Sequence, residues 1–262
     1  MVRIEFVAAP ARGRVLRRER RVRLGDVTPS GRARFDALAR YLQDIARDDS
    51  ADSALENPMG WVVRRTAIQV HVWPQFQEAL TLDTWCSGIG PRWAERRTSV
   101  HGEHGGHVEA VTIWVHVDAN TGRPARLVPG FAERYADAAQ GRGADAKLIV
   151  PAVPDAGATT RPWPLRHADY DVLAHVNNAA YWAALEELLG SQPLLDEGPA
   201  FGVVEHRQPV APGANVELAA DAPDERGAFG WWLLDGDEGV AAGWFSRGVV
   251  AFSGAEAHNS ER

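Results

Sequence analysis

The run RHADYDVLAHVNNAAYWAALEELL, residues 166–189, decides the reading of this chain. Within eight residues it sets a carboxylate (Asp171), an imidazole (His175) and two carboxamides (Asn177 and Asn178). Trp182, Leu185 and Leu189 follow on one helical face, which predicts a helix over 178–189. A helix start leaves backbone N–H groups free to hold negative charge developing on a carbonyl oxygen. The carboxylate beside it can attack that carbonyl or activate a water, and the imidazole can move protons. Asn is a favoured helix cap, so Asn178 is expected to cap and Asn177 to hold a substrate carbonyl or Asp171. Asp169 reads as a turn residue bonded to local backbone.

Outward from this run, the same plan occurs twice. In the first half, residues 14–23 alternate as a strand. A Gly/Pro/Ser turn cluster follows, and Phe35, Leu38, Leu42 and Ile45 recur at helical spacing. Residues 61–73, 79–86, 93–100 and 108–117 read as four further strands. The second half repeats the order: a short strand at 163–167, the polar loop, the helix, then strands at 201–207, 215–220, 229–234 and 240–252. One offset of 143 residues overlays Gln43 on Glu186, Leu42 on Leu185 and Asp26 on Asp169. Internal duplication of a helix-plus-sheet unit follows, with units at 1–131 and 163–262. Between them 132–162, rich in Ala, Gly, Asp and Pro, reads as a linker over the surface, with a short helix near 131–139. Residues 253–262 read as a frayed tail.

Composition narrows the classes. The chain has 262 residues, 45% apolar, with a net charge of −7, which argues against general nucleic-acid binding. No apolar run is long enough to cross a bilayer and the first residues lack a signal-like apolar core, so a cytoplasmic location is expected. A single cysteine, Cys86, excludes an internal disulfide and reads as a buried, inert thiol. No cofactor and no metal site are expected: the histidines show no ligand spacing with acids, and there is neither a phosphate-cradling glycine loop nor a nucleophile elbow.

A helix wrapped by a bent antiparallel sheet leaves part of its sheet edge and helix face uncovered, and pairing two such units covers both. The expected fold is therefore α+β: a tandem double hotdog, two helices wrapped by one continuous curved antiparallel sheet, acting as its own pseudo-dimer, with further pairing into a homodimer open. Here the chain resembles the fatty acyl-ACP thioesterases. The residues that carry the resemblance are Asp169-Tyr170-Asp171, His175-Val176-Asn177-Asn178 and Tyr181. In the first half they are Trp61-Val62-Val63-Arg64-Arg65, Leu82-Asp83-Thr84-Trp85 and Trp114-Val115.

The resemblance implies a hydrolase that releases free fatty acid from acyl carrier protein, or from coenzyme A, with Asp171, His175 and Asn177 as its catalytic set. It also implies an Asn where this chain has Leu173, and a strand carboxylate where it has Pro209, with Val210 following. Glu205, four residues earlier, is the candidate substitute for that carboxylate; Asn178 and Glu186 are further supporting candidates. In the related 4-hydroxybenzoyl-CoA-type hydrolases, Asn178 rather than His175 takes the place of the loop His, and one Asp with helix amides suffices. Arginines at 17–23, 64–65 and 92–97 read as solvated strand faces or as a rim for a phosphopantetheine arm and an acidic carrier. The missing residues equally fit an acyl-thioester-binding protein without turnover. A loop acid with a His also fits a hydratase or dehydratase.

Overall fold

The computed structural model describes residues 4–55, 60–192 and 198–249. Five strands come from each half. The first half gives β1 (Leu16–Arg21), β2 (Trp61–Val72), β3 (Ala79–Ile89), β4 (Trp93–Gly102) and β5 (His107–His116). The second gives β6 (Thr159–Pro162), β7 (Ala200–His206), β8 (Val216–Ala220), β9 (Phe229–Asp235) and β10 (Glu238–Arg247). They form one ten-stranded sheet in the order β1-β3-β4-β5-β2-β7-β10-β9-β8-β6. The halves join at β2 and β7, antiparallel, with Arg65 opposite Glu205 and Val70 opposite Ala200. This is the double hotdog.

Helices α1 (Phe35–Asp52) and α3 (Tyr181–Gly190) lie against one face of the sheet. Phe35 stacks on Trp182 at 5.5 Å, so the two helix starts meet. Side chains alternate across β7: Val204 joins the helix side, while Phe201, Val203 and Glu205 face the other way. Gly202 sits under α3, where a Cβ would lie 3.0 Å from Trp182, so this strand lacks a side chain where the helix comes closest.

The segment expected to be a surface linker packs on both sides of the sheet. Its α2 (Phe131–Ala139) buries Phe131, Tyr135 and two alanines on the helix side, where the Tyr135 hydroxyl donates to Asp49 of α1, and further on Val150 packs on the outer face with Ile4, Val203 and Trp232. A few apolar residues within a polar composition are enough to anchor it. The short strand of the second half lies at β6, before the expected 163–167. Trp163 extends the ladder by one bond to Val216 O (2.8 Å). Pro164 has no N–H to continue it, and residues 167–169 form a 3-10 turn. The last strand ends at Arg247, and Phe252 and the tail lie outside the described residues. No described helix is long and apolar enough to cross a membrane.

Candidate active site

The loop before α3 is built by a hydrogen-bond frame that the chain makes twice. Asp169 accepts the Arg166 N–H at 2.8 Å and the Arg166 guanidinium at 2.7 Å. The Asp169 carbonyl accepts the Asn177 N–H (2.8 Å), and Tyr170 bridges Val176. In the first half Asp26 accepts the Arg23 N–H (2.9 Å), its carbonyl accepts the Arg34 N–H (2.8 Å), and Val27 bridges Ala33. Each partner is 143 positions from its mate. The same offset puts Thr28 in the place of Asp171 and Arg32 in the place of His175.

Asp171 sits at the start of the loop tip. One carboxylate oxygen accepts the Leu173 N–H at 2.9 Å, and its own N–H donates to the His175 carbonyl at 2.9 Å. Asp171 lines a cavity of about 280 Å³ together with Leu173, Asn178, Gln43 and Trp114. His175 does not join it. Its neighbour Val176 is buried, so in this extended segment His175 faces solvent, and it reaches Asp171 only through backbone. The two asparagines exchange their expected roles. Asn177 Oδ1 accepts the Ala179 N–H (2.9 Å) and its carbonyl accepts the Ala180 N–H (2.8 Å), a tight turn that delays the helix to Tyr181. Asn178 is left on the cavity wall, and its N–H and carboxamide have no protein partner among the described residues.

Glu186 is buried at the opposite mouth. It takes both ends of the Arg32 guanidinium (3.1 and 3.0 Å) and the Phe35 N–H (2.6 Å), and so caps α1 from α3. Burial pushes its carboxyl above the usual range, against the pull of Arg32. Arg32 also lies over Trp73, 4.3 Å from the ring centre. The mouth that mirrors the Asp171 loop is thereby filled.

Gln43, the mate of Glu186, faces the start of α3 and has no such partner: its Oε1 is buried without a hydrogen bond. The 143-residue offset that sets Gln43 opposite Glu186 is the one signal in the sequence that points to it. Tyr181 is buried nearby, and burial together with the Asp171 charge raises its phenol pKa. Tyr181 packs edge-on against His206 (4.8 Å), whose buried ring is pushed down to about 3 by desolvation and by Arg64.

Comparison with known proteins decides the family. Residues 13–135 match the acyl-ACP thioesterase N-terminal domain and residues 154–240 the C-terminal domain. The chain belongs to the acyl-ACP thioesterases. It is a thioester hydrolase with the acyl-ACP thioesterase fold. The 12:0-ACP thioesterase of Umbellularia californica superposes with a TM-score of 0.73 at 18% identity, covering 90% of this chain and 98% of that one. An acyl-ACP thioesterase of Bacteroides thetaiotaomicron gives 0.72 at 18% identity, covering 88% and 97%. The uncharacterized protein Rv2001 of Mycobacterium tuberculosis is 29% identical over 225 residues, 86% of this chain and 89% of its own length.

In this thioesterase the two departures stay unfilled by the substitute that sequence reading favoured. Leu173 and Pro209 are both exposed. Glu205 lies on the outer face, because it shares the alternation of Phe201 and Val203. There it accepts the Ile149 and Val150 N–H groups (2.7 and 3.1 Å) and anchors the segment joining the halves. Many of the arginines proposed as a carrier rim are engaged. Arg17 pairs with Asp83, Arg96 with Asp49 and Arg97 with Glu95. Cys86 is buried, its thiol pushed up to about 11 by desolvation, as an inert core thiol requires. Sheet register also gathers His101, His107 and Glu109 closely enough to meet a cation. They lie on the outer face, where alternation in β4 and β5 puts them opposite the side chains that meet the helices.

Proposed function

We propose that this thioesterase hydrolyses acyl-ACP with Asp171 as general base and the Asn178 N–H as oxyanion donor. The thioester carbonyl enters beside the start of α3 with its acyl chain in the 280 Å³ cavity. Asp171 takes a proton from a water, whose oxygen bonds to the thioester carbon, and the carbonyl oxygen becomes an oxyanion on the Asn178 N–H. Collapse breaks the carbon–sulfur bond. The departing thiolate takes the proton back from Asp171, leaving free fatty acid and the carrier thiol. Gln43, reaching in from α1, holds the reacting group from the other half. His175 and Asn177 take no chemical part in this reading, the first as a solvent-facing loop residue and the second as the turn cap.

The observation that supports this most directly is that Asp171 and an unpartnered Asn178 amide share one cavity wall. Thiol release from acyl-ACP by wild type, Asp171→Asn and His175→Ala tests it. Asp171→Asn is expected to lose about a hundred- to ten-thousand-fold in kcat, and His175→Ala to stay within a few-fold of wild type. Equal loss in both variants would return the imidazole to the mechanism. An active Asp171→Asn would remove the carboxylate from it. Acyl-CoA run in parallel tests the carrier, with faster turnover of acyl-ACP expected.

A further inference from the structure

The cavity beside Asp171 runs along one face of α1, past Gln43, Ala46, Ser50 and Ser53, over the inner side of β4. An alkyl chain would be best served by hydrocarbon walls, because burying a polar group without a partner costs free energy. Such a surface lies around α3, where Trp182, Leu185, Trp231 and Phe245 of the C-terminal half pack together with Phe35 of α1. The cavity in the first half also has apolar walls, in Leu55, Trp61, Trp114 and Phe131, but Arg96 on β4 interrupts them. Behind it Thr112 on β5 and Thr66 on β2 continue the same register, and Thr66 bonds Thr112 at 3.3 Å.

Arg96 is the centre of this polar row. Its side chain is 13% exposed and lines the cavity. It donates to Asp49 (2.7 Å) and to Thr84 Oγ1 (3.3 Å), and a guanidinium carries more N–H donors than these two bonds use. Asp49 is also held by Arg14 (2.7 Å) and the Tyr135 hydroxyl (2.9 Å), and Arg14 is shared with Asp52 (2.6 Å). The cluster of Arg14, Arg96, Asp49 and Asp52 is therefore balanced in charge, so the donors left on Arg96 suit a neutral oxygen; Arg47, the other cation on the cavity wall, is solvent-exposed. Ser50, next to Asp49 and on the cavity wall, has a hydroxyl with no protein partner among the described residues.

We infer that the acyl group carries an oxygen near its distal end, a hydroxyl or carbonyl, which Arg96 and Ser50 receive. This rests on the hydrolytic reading above and adds the substrate class. Position follows from the helix. Gln43 shares both the cavity and the start of α3 with Asn178, and so marks the thioester end. From Gln43 to Ser50 is about two helical turns, roughly 10 Å. An extended chain advances about 1.2 Å per bond, which puts the oxygen about eight or nine bonds from the carbonyl. The substrate class is a medium-length acyl chain, oxygenated near its end.

The test compares octanoyl-, 8-hydroxyoctanoyl- and dodecanoyl-ACP as substrates. Wild type is expected to favour 8-hydroxyoctanoyl over octanoyl by about tenfold in kcat/KM, the worth of one hydrogen bond to a charged donor, with the difference in KM. Arg96→Met should bring the two within about twofold, and leaves Asp49 its bonds to Arg14 and Tyr135. Ser50→Ala breaks no protein hydrogen bond and should lower the preference part-way, which guards against misfolding of the arginine variant. Affinity for the same three thioesters, measured on Asp171→Asn protein, should show the same order. Octanoyl or dodecanoyl preferred by wild type, or a hydroxyl preference intact in Arg96→Met, overturns the inference. Binding that keeps the preference while wild type releases no thiol overturns the hydrolytic reading and leaves the subsite standing.

Discussion

Protonating His206 should loosen the fold, and the size of the effect can be worked out. Both ring nitrogens are buried and neither has a hydrogen-bond partner among the described residues. An imidazolium there would bring two unsatisfied donors and a charge into the space behind Tyr181, next to Arg64, whose guanidinium donates to the His206 carbonyl at 3.0 Å. Its folded pKa is pushed down to about 3, against roughly 6.5 in an unfolded chain. Between those values the unfolded chain binds the extra proton. The stabilisation is therefore complete above the unfolded pKa and drains away as pH falls below it. At about pH 5 the loss is about 2 kcal/mol; at about pH 7.5 it is negligible. The comparison is with His206→Phe, which keeps a ring against Tyr181 and cannot ionise. Urea unfolding followed by tryptophan fluorescence, at both pH values, should show wild type losing about 2 kcal/mol more than the variant. The carboxylates titrate alike in both proteins and cancel. A differential loss below about 0.5 kcal/mol would mean that the folded imidazole takes up its proton freely, and the unpartnered-ring argument would fail.

Two further substitutions test the filled mouth and the anchored connection. Glu186→Ala leaves Arg32 buried without its carboxylate and α1 without its cap. It should cost about 3–5 kcal/mol and lower Tm by about 10 °C, read by calorimetry, while Arg32→Met with Glu186→Leu should recover much of that loss. If Glu186→Ala is as stable as wild type, the ion pair does not hold the mouth. Glu205→Ala removes the acceptor of two backbone N–H groups and the partner of Arg65 (4.0 Å) and Arg207 (3.3 Å). It should release the 140–158 segment to limited proteolysis, and a cleavage rate equal to wild type would count against the anchor.

Most of the architecture was readable because its signals are local. Phe35, Leu38, Leu42 and Ile45 mark α1, and alternation marks β2 to β5 and β7 to β9. Asp171 and the helix start could be found together because eleven residues of continuous chain, 171–181, hold both. What escaped was tertiary. Either asparagine could cap, and the tight turn over Asn177 made the choice. Glu205 is one side-chain alternation away from the helices, so its face depends on β7's place in the sheet. Gln43 and Arg96 look like ordinary surface residues of a helix and a strand until the sheet curls and brings them to one cavity. The 131–153 passage hides a few anchoring side chains in a composition that otherwise reads as solvent-loving.

The β2–β7 seam has a consequence for how such a chain can change. In an assembly of two identical halves, every substitution is made twice, so neither mouth can close without closing the other. A covalent tandem lifts that restriction. Arg32 and Glu186 plug one entrance while Gln43 and Asp171 keep the other open. With Asp171 as the proposed base, an inhibitor that titrates the open entrance should saturate at one molecule per chain.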